Sequence, residues 1–236
     1  MLGADTHRPS VRLRRATDSA QKERKRSAII AAARDLYSRA TGELPSAAAI
    51  AEHAGLAKGT VYLYFKSKED IFLALVDDEF SALLGDSATG LHDLIERPSV
   101  IELIDYFVSS YVQWLQRRPL LLDLASISHG ALARGATVDE LRAMKGSLAR
   151  NVNRVAQSIA QLTEVTVADA NALLISTYAL SVGLHQTLDY TPAEVAVLND
   201  PLFASLRPDF FPLLRSALTQ LWSGALLAAR DTSTCQ

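Results

Sequence analysis

Residues 46–68 read SAAAIAEHAGLAKGTVYLYFKSK, the pattern of two short helices joined by a tight turn. Gly55 lies between the two helices, where a left-handed backbone costs little only for glycine. Apolar and small side chains recur at the spacing of two helices that share one core. They are Ile50, Ala51, Ala54, Leu56, Val61 and Phe65. The stretch therefore predicts a helix-turn-helix, whose second helix enters the major groove of DNA.

The N-terminal end of that second helix carries the residues expected nearest to base edges. Lys58 can donate to guanine or to phosphate, and Gly59 lets the backbone approach DNA closely. The Thr60 hydroxyl suits phosphate. Tyr62 and Tyr64 offer hydroxyls to phosphate, although both could instead be half-buried packing residues.

Two further features refine this interface. Because Val61 and Phe65 already form the apolar face that packs on the core, we expect Tyr62 to point toward solvent. Lys68 lies at the N-terminus of the next helix, so its ammonium group and the backbone N–H groups of the helix start predict a phosphate site.

This run of sequence resembles the DNA-binding signature of the tetracycline-repressor (TetR) family. The matching positions are Ile50, Ala51, Ala54, Gly55, Leu56, Lys58, Gly59, Thr60, Tyr62, Tyr64, Phe65, Ser67, Lys68 and Glu69. The resemblance implies DNA contacts at Ser46, Lys58, Gly59, Thr60, Tyr62, Tyr64 and Lys68. Family members often carry polar contacts where this chain has Ala47 and Ala48, so the first helix of the pair is expected to add little base specificity.

Charge is unevenly distributed along the chain. The formal net charge is −2, but residues 1–75 hold 13 Lys/Arg against 8 Asp/Glu, and residues 76–236 hold 11 against 18. A locally positive N-terminal part is what phosphate contact requires. The longest apolar stretch is broken by polar residues and is too short to span a bilayer, and no secretory signal is visible. We therefore predict a cytoplasmic protein without membrane contact.

Helix-start signals organise the rest of the chain. Ser or Thr followed three residues later by Glu or Asp recurs before several apolar-periodic segments. These starts are Ser67, Ser99, Thr137, Thr166 and Thr191. With a first helix from about Gln21 and a last from about Asp209, they predict an all-α chain of nine or ten helices. The predicted parts are a basic disordered arm (1–19), a three-helix DNA-binding domain (20–66), and a helical bundle for ligand binding and dimerisation (67–230). Whether the arm grips DNA or is only a solvated tail stays open.

The C-terminal part shows no catalytic set, metal motif or phosphate loop, so we predict no enzyme activity, no metal and no cofactor. The Thr166 helix instead carries a stripe of small residues, Ala172, Ser176, Ala179 and Gly183. Small side chains allow another helix to approach closely, and this stripe could equally pack inside one protomer. Because one recognition helix reads few bases, we predict a homodimer that joins through the Thr166 helix and the final helix.

Large apolar residues with occasional polar ones predict a cavity for a mostly apolar small molecule. For each residue alone, a place in the ordinary core is the simpler interpretation. The predicted lining is Phe107, Trp114, His129, Met144, Asn151, Tyr178 and His185.

The leading hypothesis is a sequence-specific transcriptional repressor that a small-molecule effector releases from a palindromic operator. One alternative is an architectural or protein-regulated DNA-binding factor without a small-molecule ligand. An enzyme on a helical scaffold is the least favoured hypothesis.

Overall fold

The computed structural model describes residues 11–39, 43–94, 98–127 and 136–233, and within these ranges every regular element is helical. The all-α prediction is confirmed. The chain divides into two compact units, Met1–Leu75 and Val76–Gln236. This division lies nine residues beyond the predicted boundary after residue 66, because the first turns of α4 pack in the first unit.

Four helices build the first unit: α1 (Val11–Arg39), α2 (Ala47–His53), α3 (Lys58–Tyr62) and the start of α4 (Lys68–His92). Their shared core is formed by side chains that are almost fully buried. These include Ile29, Ala33, Ile50, Val61, Ile71 and Phe72. Tyr37 closes one side of the core, with its ring centroid 5.6 Å from that of Phe72.

The turn between α2 and α3 has the predicted geometry. Gly55 has φ of +66°, and the Leu56 amide donates to the Ala51 carbonyl at 2.9 Å. A polar side-chain contact holds α2 against α1, because His53 Nε2 lies 2.6 Å from Asp35 Oδ2. The turn therefore sets the direction of α3 relative to α2, and the contact with Asp35 sets the position of α2 on α1.

The first helix begins at Val11, ten residues before the predicted start at Gln21. The prediction of a disordered arm is wrong for residues 11–19, while residues 1–10 lie outside the described residues. Residues 11–26 lack an apolar stripe, but they consist mainly of strong helix formers such as Arg, Lys, Ala, Glu and Gln. Intrinsic propensity extends the helix where hydrophobic periodicity gave no signal.

The second unit holds the rest of α4 and a bundle of further helices. These are α5 (Val100–Arg117), α6 (Leu120–Ile127), α7 (Val138–Leu162), α8 (Val167–Leu188), α9 (Pro192–Leu198), a 3₁₀ helix η1 (Pro201–Leu206) and α10 (Phe210–Ser233). Within the unit α10 packs on α5 and α8, α7 packs on α8, and α6 packs on α8. Neither α6 nor η1 was predicted.

Local capping fixes where these helices start. Complete capping boxes close the starts of α5, α7 and α9, at Ser99, Thr137 and Thr191. At α8 the Thr166 hydroxyl accepts from the Asp169 amide at 3.1 Å. These four of the five predicted starts are confirmed, and each cap depends on residues only three positions apart.

Among the described residues α8 alone has the length and apolar character of a membrane span, and a third of the apolar window is buried. Its inner side packs against α7 and α10, and a single helix of this kind is weak evidence for a membrane span.

Candidate nucleic-acid interface and cavities

The surface of α3 separates cleanly into an inner and an outer side. Val61 is fully buried, and Phe65 follows it into the core. Tyr62 is 47% exposed and Leu63 is 80% exposed, on the opposite side. The expectation that Tyr62 points outward is confirmed. Leu63 was not predicted, and its exposure beside Tyr62 makes it available to a thymine methyl group.

Lys58 is the first residue of α3 and is exposed, as is Gly59. A Cβ added at Gly59 would meet nothing within 4 Å, so the backbone here is open to an approaching surface. The Lys58 ammonium lies 6.0 Å from the centroid of the Tyr62 ring. A cation and an aromatic face therefore lie side by side on the outer surface of α3. Thr60 and Tyr64 are half-buried at its edges.

Ser46 has a structural role at the start of α2, where its Oγ accepts from the Ala49 amide at 3.2 Å. Its hydroxyl hydrogen remains available to donate. Ala47 is buried and Ala48 is exposed, so the outer side of α2 presents a methyl group at this point.

A side-chain cap closes the start of α4, where the sequence predicted a phosphate site. The Asp70 carboxylate Oδ2 accepts from the amides of Lys66 and Ser67, each at 3.0 Å. The Ser67 Oγ accepts from the Asp70 amide at 3.1 Å. Three backbone donors are thus occupied, and Asp70 brings negative charge. Lys68 remains exposed, so what it offers a phosphate is its ammonium group rather than a cradle of N–H groups.

The second unit contains an apolar cavity of about 120 Å³ between α4, α5, α7 and α8. Predicted residues Phe107, Met144 and Tyr178 line it. Other lining side chains are Val76, Asp77, Phe80, Leu83, Leu84, Ser87, Tyr111, Lys145, Leu148, Val152, Leu174, Ile175 and Thr177. Its aromatic wall is ordered by ring contacts, with Phe80 edge-on to Tyr178 at 5.3 Å between centroids.

Tyr111 is one of two aromatic lining residues that the predicted set omitted, the other being Phe80. It is buried, and its hydroxyl donates to Ser181 Oγ at 3.1 Å. Burial raises the pKa of Tyr111 to about 12, although the Ser181 hydrogen bond acts against this rise. Tyr111 is therefore neutral at physiological pH and serves the cavity as an aromatic surface.

Trp114 lines a second cavity, of about 230 Å³, between α4 and α5. Its indole Nε1 donates to Asp86 Oδ2 at 3.1 Å. The Arg118 guanidinium lies 5.2 Å from the Trp114 ring centroid and pairs with the buried Glu79 carboxylate, at 3.3 Å between Nε and Oε2. Trp114 is thus held by a hydrogen bond to Asp86 of α4 and by the cation of Arg118, which directly follows α5.

The prediction that Asn151 and His185 line the apolar cavity is wrong. Asn151 Nδ2 donates to Ser81 Oγ at 3.1 Å and joins α7 to α4. His185 Nε2 lies 2.9 Å from Asp123 Oδ1 and joins α8 to α6. Both polar side chains found partners that lie far away in sequence, which spacing on their own helices does not reveal. His129 lies outside the described residues.

Residues 29–75 match the family profile of bacterial regulatory proteins of the tetR family. Residues 77–229 match the profile of the tetracyclin repressor-like C-terminal domain. The chain belongs to the TetR family. The resemblance noted in the recognition segment is thereby confirmed over both units.

Solved structures of TetR regulators share this fold. A TetR transcriptional regulator from Rhodococcus sp. RHA1 has a TM-score of 0.54 at 20% identity, covering 87% of this chain and 97% of that one. The fatty acid degradation regulator FadR from Bacillus halodurans has a TM-score of 0.52 at 17% identity, covering 84% and 94%. FadR from Bacillus subtilis, solved with stearoyl-CoA, has a TM-score of 0.50 at 18% identity, covering 84% and 98%. No curated protein matches the chain in sequence.

TetR regulators bind operator DNA as dimers and respond to small-molecule effectors, and as a class they are soluble cytoplasmic proteins that are generally not enzymes. This TetR-family chain has no group of three or more His, Cys, Asp or Glu suited to a metal ion within its described residues.

The predicted dimer face of this TetR-family protein is solvent-exposed in the protomer. Ala172, Ser176, Ala179 and Gly183 are all exposed along α8. A Cβ added at Gly183 would meet nothing within 4 Å. The stripe therefore does not serve packing inside the protomer, which was the alternative interpretation.

Proposed function

We propose that this protein is a homodimeric transcriptional repressor that binds an inverted-repeat operator and is released by a mostly apolar small molecule. The observation that carries the DNA-binding part is the outer side of α3, where Lys58, Gly59 and Tyr62 are exposed while Val61 is buried. Ser46, Thr60, Tyr64 and Lys68 complete the proposed contact set.

Dimerisation through α8 and α10 is supported by the exposed stripe of small residues on α8. Small side chains permit close approach but bury little area, and stable dimers need large apolar contacts as well. The segment between α8 and α10 supplies them, since Val197, Leu202 and Leu206 are 59%, 77% and 59% exposed.

The effector proposal rests on the apolar cavity of the second unit, whose lining includes Phe107, Met144 and Tyr178. A ligand there releases DNA only if it binds one conformation of the dimer better than the other. Coupling between the two sites is reciprocal, so operator DNA must weaken ligand binding by the factor by which ligand weakens operator binding.

The DNA-binding part is tested by selecting duplexes from a random pool and measuring affinity across a salt series. Lys58→Ala should change the preferred base, while Lys68→Ala should weaken all sites alike and reduce the salt slope by about one unit. Arg154→Ala, which removes an exposed cation from α7, is the matched control and should change neither. The assignment would be refuted if Lys58→Ala kept the operator preference and affinity of wild type while Lys68→Ala kept its salt slope.

The effector part is tested by titrating a candidate ligand with and without operator. Leu148→Trp should fill the apolar cavity and remove ligand binding, whereas the volume-conserving Leu148→Met should retain it. Operator affinity without ligand should stay near wild type in both variants. Equal ligand affinity with and without operator would instead favour a DNA-binding factor that no small molecule regulates.

A further inference from the structure

The two cavities of the second unit share a wall. Leu83 and Ser87 of α4 and Phe107 of α5 line both of them. Ser87 is the smallest of the three side chains, and its Oγ donates to the Leu83 carbonyl at 2.8 Å. The Phe107 ring stacks on the ring of Trp222, with centroids 4.0 Å apart, and this contact restricts its movement. Of the side chains that separate the two cavities, that of Ser87 therefore fills the least space.

The first cavity suits a small apolar group. Its volume of about 120 Å³ is close to that of a protein cavity of about 150 Å³ that binds benzene. Side chains such as Phe80, Leu148 and Leu174 make its surface almost entirely apolar. A phenyl ring or a short alkyl chain fits these dimensions.

The second cavity has a different chemical character. Polar side chains of α4 and α5 line it at the protein surface, namely Asp86, Tyr106, Ser110, Gln113 and Arg117. The set holds one carboxylate and one guanidinium, so it carries no net charge. The hydroxyl and amide groups offer both donors and acceptors. This balance favours an uncharged group that both donates and accepts hydrogen bonds over an ion of either sign.

Building on the proposed effector response, we propose that the ligand is amphipathic and occupies both cavities. Its ring or short chain lies in the first cavity, and its uncharged hydrogen-bonding group lies against Ser110 and Gln113 in the second. The linking atoms pass Ser87. A purely apolar ligand leaves the polar cavity to water and forgoes these hydrogen bonds.

Four probes that share one phenyl ring test this inference by calorimetric titration without DNA. They are 3-phenylpropanamide, 3-phenylpropanoate, 3-phenylpropylamine and propylbenzene. The amide should bind about 3- to 10-fold more tightly than propylbenzene, as expected for one or two added hydrogen bonds. The charged probes should not exceed the amide. Equal binding of amide and propylbenzene, tightest binding of either ion, or no binding by any probe would overturn the inference.

Two pairs of variants locate the polar group. Gln113→Leu should reduce amide affinity to that of propylbenzene and leave propylbenzene unchanged, while Gln113→Asn should keep part of the preference. Ser87→Leu should close the passage and abolish the advantage of the amide, whereas Ser87→Ala should preserve it. Circular dichroism confirms folding of each variant. An amide preference that survives both Gln113→Leu and Ser87→Leu would show that the amide binds elsewhere.

Operator binding by the same wild-type preparation separates this inference from the proposed function. A protein that binds operator and is released by some other ligand, yet shows no preference for the amide, contradicts only the amphipathic-ligand inference. A protein that binds no operator contradicts the proposed function itself.

Discussion

The indole Nε1 of Trp222 donates to the Thr177 hydroxyl Oγ1 at 2.9 Å, joining α10 to α8 in the interior of the second unit. The same hydroxyl donates to the Leu173 carbonyl at 2.8 Å. Both side chains are buried, with Trp222 fully so. No water can replace either partner without rearrangement, so the two residues form one polar unit within an apolar core.

Thr177→Val should destabilise the protein by about 1–3 kcal/mol, because it leaves the buried Trp222 N–H without its acceptor. Trp222→Phe removes the donor and part of the apolar contact as well. The double variant should cost less than the sum of the two single ones, since the shared hydrogen bond is then lost only once. Urea unfolding followed by circular dichroism at one fixed protein concentration measures all three values.

Trp114→Phe is the control for this cycle. Its indole hydrogen bond to Asp86 is solvent-exposed, so water can replace the lost partner and the cost should be smaller than that of Thr177→Val. Strict additivity of the Trp222 and Thr177 changes would argue against the hydrogen bond as the source of the stability.

Tyr62→Phe should weaken operator binding by about 3- to 10-fold, the cost of one lost hydrogen bond to phosphate. The ring beside Lys58 is kept, and because Tyr62 is half exposed the free energy of unfolding should not change. Fluorescence anisotropy with labelled operator measures the effect. Tyr190→Phe, which removes a hydroxyl from the second unit, should leave operator affinity as it is. An effect of equal size in both variants would contradict the contact proposed for Tyr62.

Gly183→Leu should weaken the dimer by about 1–3 kcal/mol through overpacking of the interface. The protomer should not suffer, because an added Cβ meets open space and leucine has the higher helix propensity. Sedimentation velocity across a concentration series should show a larger fraction of monomer, and operator affinity should fall with it.

Gly85→Leu is the matched control, since this glycine on α4 also has nothing within 4 Å of an added Cβ. It should remain as dimeric as the wild type. A Gly183→Leu protein that is a stable dimer with full operator affinity would place the interface on another surface.

Acid should loosen the start of α5 through Glu102. Hydrogen bonds from the Ser99 side chain and backbone hold the pKa of Glu102 below the usual range of a glutamate. A carboxylate with a lowered folded-state pKa stabilises the fold above its unfolded pKa, and this stabilisation disappears as pH falls through the folded value. Glu102→Gln should therefore be less stable than wild type at neutral pH and equal to it in strong acid.

Chemical denaturation between neutral pH and strong acid, on wild type and Glu102→Gln, checks this expectation. Glu194→Gln should behave alike, because Thr191 lowers the pKa of Glu194 in the same way. Glu52→Gln, at an exposed position outside any capping box, serves as the control. A stability gap that widens toward acid would contradict the sign of the argument.

Local signals explain why most helices could be predicted. Each cap at Ser99, Thr137, Thr166 and Thr191 is decided within one turn, so sequence alone suffices. The turn at Gly55 is similarly local. Helix α6 was missed because it follows Pro119 as a short, largely apolar segment without a Ser or Thr cap, too short to show a clear helical periodicity.

The cavities could be predicted only in part. Helical spacing correctly assigned Phe107 and Met144 to inward faces, but it does not say whether the facing helix fills the space. Asn151 and His185 were misplaced because their partners, Ser81 and Asp123, lie 70 and 62 positions away. Such pairings depend on how four helices stack, and a single helix's sequence does not contain that information.

The stacking of Trp222 behind Phe107 also gives the protein an optical property. The chain has two tryptophans, and Phe107 stands between Trp222 and both cavities, while Trp114 lines the second cavity directly. Each chromophore therefore lies beside a space that a guest molecule would fill. A Trp114→Phe protein emits from Trp222 alone. The difference between its spectrum and that of wild type gives the emission of Trp114. Binding of a guest molecule in these cavities can thus be followed in unlabelled protein by intrinsic fluorescence.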